Sequence, residues 1–275
     1  MRCINFDEHF ADFVSAWMEL HQGKYRTYDE MEDDMPNIYN AFLNQPAKWL
    51  DGLTPGAYFT QFEDPKDLVD WMNQYCQRNI PVPDLLLEQI QNVGKPCERR
   101  LLNLLREPNS LQEAKMTAIG LLRAMGSDLP KMLYIQWQLK RKPEDELADN
   151  ALDSLAEMGK SALQPMLEAL PKANAAGQEA LLDVLVNYPG NEQVYKLAMR
   201  LFRENPKRRA LFAGYLGKLG DERALPELKA AAEDESTNYL DYIELRCAIE
   251  ELGGVCPERE FDATDPTWVA LHRAD

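Results

Sequence analysis

The chain has 275 residues, 45% of them hydrophobic and 28% charged, with 46 acidic against 30 basic side chains for a formal net charge of −16. That field repels phosphate backbones, which disfavours a nucleic-acid partner and favours a basic one. No apolar run approaches the roughly 18 residues a membrane span needs, and residues 1–20 lack a basic stretch leading an apolar one, so a cytoplasmic protein away from the membrane is expected.

The excess of acid is concentrated at the front: residues 1–95 hold 16 Asp or Glu against 7 Lys or Arg, together with 14 of the 25 aromatic residues. Phe6, Phe10, Phe13 and Trp17 recur at i, i+4, i+7 and i+11, one stripe of a helix from about residue 7 to 22 that Gly23 would close. Further helices are predicted near 36–43, 55–61, 65–78 (with Asp64 as cap) and 83–93, each starting at a proline. Together they predict an irregular, acidic helical region that caps the elements after it. A pocket lined by Trp49, Tyr58, Phe59 and Trp71 is the functional alternative to a purely structural role for these aromatics.

From about residue 96 a phrase recurs: LLRAMG at 121–126, SLAEMG at 154–159, VLVNYP at 184–189, YLGKLG at 215–220 and AIEELG at 248–253. The last residues of these phrases are 33, 30, 31 and 33 apart. Counting back from each, position −4 is Leu122, Leu155, Leu185, Leu216 and Ile249. Position −8 is Ala118, Ala151, Leu181, Phe212 and Leu245, and position −1 is Met125, Met158, Tyr188, Leu219 and Leu252. These three positions share one helical stripe, and four of the five phrases stop at Gly, the usual residue just past a helix end. Prolines and Ser, Thr or Asn caps then divide residues 96–253 into five helix pairs: 96–106 with 111–125, 130–140 with 144–158, 161–170 with 175–187, 191–204 with 206–219, and 222–233 with 237–252. Stacking would bury a continuous core between neighbouring pairs. Residues 254–275 read as an extended tail followed by a short helix opened by Asp265-Pro266, with Trp268 packed on the fifth pair as a second cap.

The period lies near those of several repeat families, but no T-P-L-H phrase and no W-x-x-L-G-x-x-Y phrase occurs. Gly220-Asp221-Glu222-Arg223-Ala224-Leu225-Pro226-Glu227-Leu228, followed by residues 243–253, resembles the short HEAT-like repeat of phycobilisome lyases, and residues 159–167 are a looser copy. The resemblance covers about 160 residues. It implies an all-α fold, an α-α superhelix of the HEAT or armadillo kind, in which the second helix of each pair lines the concave face. Because that family includes scaffolds, adaptors and occasional enzymes, it implies little about activity.

Signatures of chemistry are absent from the sequence. His9, His21 and His272 have no ligand-pair spacing, and there is no H-E-x-x-H, G-x-S-x-G, phosphate-binding loop or G-x-G-x-x-G. Cys3, Cys76, Cys97, Cys247 and Cys256 are scattered and form no C-x-x-C, as structural thiols in a reducing compartment would be. The run Asp29, Glu30, Glu32, Asp33, Asp34 lacks the alternating order of a calcium loop and suits the start of a helix. No catalytic residue, metal site or cofactor is expected.

The expected function is therefore that of a non-enzymatic interaction module whose groove engages a basic or amphipathic segment of another protein. Candidate contacts on the second helices are Asn150, Asp153, Glu157, Asp183, Asn187, Tyr215 and Glu244, with Arg208 making the fourth repeat less acidic. Asp153 and Asp183 occupy position −6 of successive repeats, where Gly120 and Gly214 stand in the first and fourth and leave room for a close neighbour or a ligand. The alternatives are an enzyme or lyase-like prosthetic-group binder with a pocket at the N-terminal aromatics, and an oligomeric structural subunit.

Overall fold

A computed structural model describes residues 1–272. Among them are sixteen α-helices and no strand: α1 (Phe6–Leu20), α2 (Tyr28–Asn44), α3 (Pro55–Tyr58), α4 (Pro65–Gln77), α5 (Asp84–Val93), α6 (Lys95–Arg106), α7 (Gln112–Ala124), α8 (Lys131–Leu139), α9 (Glu146–Met158), α10 (Lys160–Ala169), α11 (Ala175–Leu185), α12 (Glu192–Glu204), α13 (Arg209–Leu219), α14 (Leu225–Glu233), α15 (Tyr239–Glu251) and α16 (Pro266–His272). None is long and apolar enough to cross a membrane. The chain divides into two compact units, Met1–Pro130 and Lys131–Asp275.

In the first unit, helix α4 carries the centre of the core. Leu68, Trp71, Met72 and Tyr75 on it are 0–1% exposed, and α4 packs on α5, α6 and α7. The extended residues before α1 are tied to this helix. The Tyr75 hydroxyl accepts from Ile4 N–H (3.0 Å) and donates to the Ile4 carbonyl (3.1 Å), while Trp71 Nε1 donates to the Arg2 carbonyl (3.1 Å). The aromatic stripe of α1 grades outward: Phe6 is buried against Phe59 and Trp49, whereas Phe10, Phe13 and Trp17 are half-buried along Phe42 and Tyr25.

One helix start differs from the sequence expectation. Helix α2 begins at Tyr28, well before Pro36, which lies inside it. The cap is Thr27, whose side chain accepts from Glu30 N–H (3.2 Å), and Glu30 reaches back to accept from Arg26 N–H (2.7 Å). This reciprocal cap outweighs the proline, which stands on the exposed side of the helix where the carbonyl it leaves without a donor faces water. The acidic run is thus inside the first turns of α2. Asp34 there accepts from the Lys24 ammonium (2.6 Å), Tyr25 (2.5 Å) and Asn37 (2.7 Å), and these donors hold its carboxyl well below the usual range.

The repeat register appears directly in burial. All ten side chains at positions −8 and −4, from Ala118 and Leu122 to Leu245 and Ile249, are 0% exposed. Position −1 is buried at Leu219 and Leu252 but only half-buried at Met125, Met158 and Tyr188, because it falls at the fraying end of the helix. Gly126, Gly159, Gly220 and Gly253 close their phrases with φ between 59° and 74°, a region open to glycine without a Cβ penalty. Within the second unit, α8 packs on α9, α10 and α11, and α13 lies along both α12 and α15. The close approaches fall at other glycines than the −6 positions. An added Cβ at Gly120 or Gly214 would meet nothing within 4 Å. At Gly217 it would meet Ala248 Cα of α15 at 3.2 Å, and at Gly177 it would collide with the Gln138 carbonyl oxygen of α8.

The tail docks through polar contacts on the fifth helix pair. Arg259 donates to the carbonyls of Ala232 (3.2 Å), Asp234 (2.7 Å) and Glu235 (3.3 Å), and the Tyr242 hydroxyl donates to the Pro257 carbonyl (2.9 Å). Asp265 caps α16 at Trp268 N–H (3.0 Å) and accepts from Tyr239 N–H (2.9 Å) in the first turn of α15; Trp268 itself is half-buried.

Candidate functional site: a cleft across three second helices

The end of α8 and the start of α11 form a joint that positions the first wall of the cleft. Asn174 caps α11, its side-chain oxygen accepting from Gly177 N–H (2.9 Å). Its backbone N–H donates to the Leu139 carbonyl (2.9 Å) and its Nδ2 to the Arg141 carbonyl (2.9 Å). Donors at one helix start thereby satisfy carbonyls that the end of another would leave orphaned. Arg141, held in this joint, has a side chain only 8% exposed. Its guanidinium donates to Gln138 Oε1 (2.9 Å) and pairs with Asp149 on α9. Gln138 in turn donates to the Ala148 carbonyl (2.8 Å), so this buried cation is both paired with a carboxylate and hydrogen-bonded to an anchored amide, the condition under which a buried charge is tolerable.

The second wall joins α11 to α13. The Tyr215 hydroxyl donates to Asp183 Oδ1 (2.9 Å), and Arg208, in the turn before α13, grips both oxygens of Glu179 with its two terminal nitrogens while its guanidinium sits 5.4 Å from the Phe212 ring centre. Bidentate pairing of this kind fixes geometry as well as charge. Burial and the neighbouring Asp183 carboxylate push the Tyr215 phenol far above its ordinary value, so it remains a hydrogen-bond donor. Between the walls lies an open cleft of about 420 Å³, floored by Pro143, Leu152, Ala176 and Ala180.

Of the residues singled out in the sequence, the structure brings Asp183, Arg208 and Tyr215 into this cleft. Asp153 and Glu157 are exposed on α9 and Asn150 is half-buried there, none of them lining it. Asn187, exposed, donates to the carbonyls of Asp183 and Val184 (both 3.1 Å), and Glu244 is exposed on α15. Sequence reasoning passed over Arg141, Asp149 and Glu179. For the two acids a signal was present: Asp149 and Glu179 stand at position −10 of successive repeats, one helical turn before Asp153 and Asp183 at −6. Arg141 lies in a loop outside any period.

Three of the four N-terminal aromatics, Tyr58, Phe59 and Trp71, meet one another as a packed cluster, and Trp49 joins them only through Phe6. Phe59 and Trp71 are 1% exposed with ring centres 5.0 Å apart, Tyr58 stands edge-on to both, and Trp49 is half-buried with His9 stacked on it at 4.0 Å. His21 ends α1 as its cap residue, its Nδ1 2.8 Å from the Trp17 carbonyl. Among the described residues no three His, Cys, Asp or Glu side chains gather as metal ligands would. Burial raises the thiols of Cys76 and Cys97 to about 11, far from the range of a reactive thiolate.

Comparison with known families adds one match. The family model described as PBS lyase HEAT-like repeat matches residues 209–234, which are α13, the turn through Gly220 and Asp221, and α14. No curated protein and no solved structure matches the chain. The matched segment contains the Gly220–Leu228 phrase and lies within a succession of helices packed on their neighbours; the described residues form an all-α fold consistent with a HEAT-like repeat array, of which residues 209–234 match the family model.

Proposed function

We propose that the protein is a non-enzymatic interaction scaffold that captures a segment of another protein in the cleft formed by α9, α11 and α13. The observation that carries this reading is the cleft itself: an apolar lining between oriented, mostly paired charges contributed by consecutive repeats. Such a surface supplies fixed hydrogen-bond partners along an extended path, which suits a linear segment.

Site-specific photo-cross-linking in cells tests it. A photoreactive residue at Leu152 or Ala180 in the cleft floor is expected to trap a discrete partner protein that the same residue at Gln164 on α10 does not. The same partner trapped equally from Gln164, or no protein adduct at either cleft position, would overturn the reading.

A further inference from the structure

The cleft contains an imbalance of charge with a fixed location. Three carboxylates face it, Asp149, Glu179 and Asp183, and two guanidiniums, Arg141 and Arg208. Asp149 is taken by Arg141 and Glu179 by Arg208, each in a direct ion pair. Asp183 has a neutral partner alone, the Tyr215 hydroxyl on Oδ1, and its other oxygen has no partner among the described residues. The uncompensated negative charge of the cleft therefore belongs to the Asp183 carboxylate, whose Oδ2 is its open acceptor.

Its surroundings fix the shape of what that charge would accept. Tyr215 is 6% exposed and anchored on α13 beside Phe212, so its hydroxyl holds the Asp183 carboxylate in one orientation. Ala176 and Ala180, on the face of α11 that bears Glu179 and Asp183, line the cleft together with Leu152 and give it an apolar lining beside the carboxylate. A long aliphatic stem suits such an apolar lining while a cationic head reaches the neighbouring carboxylate. A second cation finds no free acid there, because Asp149 and Glu179 are already neutralised within the chain.

We infer that this cleft is an anchor for one basic side chain, lysine or arginine, of the captured partner segment, with Asp183 as the charge acceptor and Tyr215 as the residue that positions it. The inference rests on the scaffold reading and sharpens it from a generally acidic surface to one residue.

The test uses the full chain, isotope-labelled, and protein-detected NMR titration with a probe whose termini are blocked and whose side chain alone is charged, N-acetyl-arginine N-methylamide, beside its lysine and uncharged citrulline counterparts. The arginine and lysine probes are expected to shift amides of α11 and α13 saturably, and citrulline, which keeps the length and loses the charge, to shift none. Asp183→Asn is expected to weaken binding about tenfold or more, since an ion-assisted hydrogen bond is lost. Tyr215→Phe is expected to weaken it a fewfold, and Glu233→Gln, an exposed acid on α14, to leave it unchanged. Helical circular dichroism of each variant checks that it is folded. Equal binding of citrulline, shifts scattered over other acidic positions, or binding insensitive to Asp183→Asn would overturn the anchor. Were the cleft positions to cross-link a partner while neither cationic probe bound, the anchor alone would fall and the scaffold reading would stand. Probe binding without any cross-linked protein would overturn the partner segment in both.

Discussion

The hydroxyl of Tyr215 on α13 donates to the carboxylate of Asp183 on α11 at 2.9 Å, a bond spanning 32 residues of sequence. It couples the third helix pair to the fourth through a buried donor and an acceptor at the surface. Tyr215→Phe removes the donor and leaves an acceptor that water can still reach, so the cost is that of one hydrogen bond, about 1 kcal/mol. Urea denaturation of the two proteins measures it. A loss above about 3 kcal/mol would mean that Tyr215 carries more of the core than this bond.

A second tyrosine bond predicts alkaline behaviour. Burial raises the Tyr75 phenol to about 12, against which the hydrogen bond it accepts from Ile4 N–H acts only in part. A phenol whose folded value exceeds its unfolded one contributes stability that is intact below pH 10 and lost as pH climbs toward 12. The loss should approach about 3 kcal/mol at the top of that window. Several other tyrosines are raised as well, including Tyr39, Tyr58 and Tyr242, so the informative quantity is a difference. Tyr75→Phe should be less stable at neutral pH and lose less stability between pH 10 and 12 than the parent. Parallel alkaline slopes in the two proteins would contradict this assignment.

The repeats were legible in the sequence because their signal is local and periodic. Positions −8 and −4 must be apolar wherever a helix turns one stripe toward its neighbours, and all ten are fully buried. Capping chemistry placed most helix ends within a few residues. The exception is α2, where Pro36 reads as a helix start but the Thr27 and Glu30 pair, nine and six residues earlier, caps the helix. The cleft was half-legible for a related reason. Asp183 and Tyr215 lie on the periodic helices, but Arg141 comes from a loop whose place is set by the joint between α8 and α11, a contact over 33 residues that no period encodes.

Glycines at superficially similar positions should respond oppositely to alanine. Gly214 lies inside α13 with open space where a Cβ would stand, so Gly214→Ala is expected to stabilise by about 0.5–1 kcal/mol through helix propensity and reduced unfolded-state entropy. Gly177 is pressed against the Gln138 carbonyl, backbone that cannot swing aside as a side-chain tip would. Gly177→Ala is expected to destabilise by about 1–3 kcal/mol, because the strain of overpacking exceeds the propensity gained, and to loosen the joint that holds Arg141. Thermal unfolding midpoints moving in opposite directions would bear this out; a stabilised Gly177→Ala would show that the α8–α11 joint can yield.

The docking of α16 should depend on acid. Asp265 is held below its ordinary carboxyl value first by the Thr267 hydroxyl, then by the backbone N–H of Trp268, with Tyr239 N–H also contributing. A carboxylate lowered on folding contributes stability that is present above its unfolded value of 3.8 and lost as pH falls through the lower, folded one. The Tyr239 amide belongs to the start of α15, whereas the acceptor belongs to the tail, so protonation should open that contact while the helix pair persists. Hydrogen exchange corrected for intrinsic rates is expected to accelerate at Tyr239 and Trp268 as pH drops below about 4, with Ile249 in the buried stripe unaffected. In Asp265→Ala the same two amides should exchange fast at neutral pH. If they stayed protected there, the Arg259 contacts and the packing of Phe261 on Tyr239 and Tyr242 would be what holds the tail, and Asp265 would act on its own helix alone.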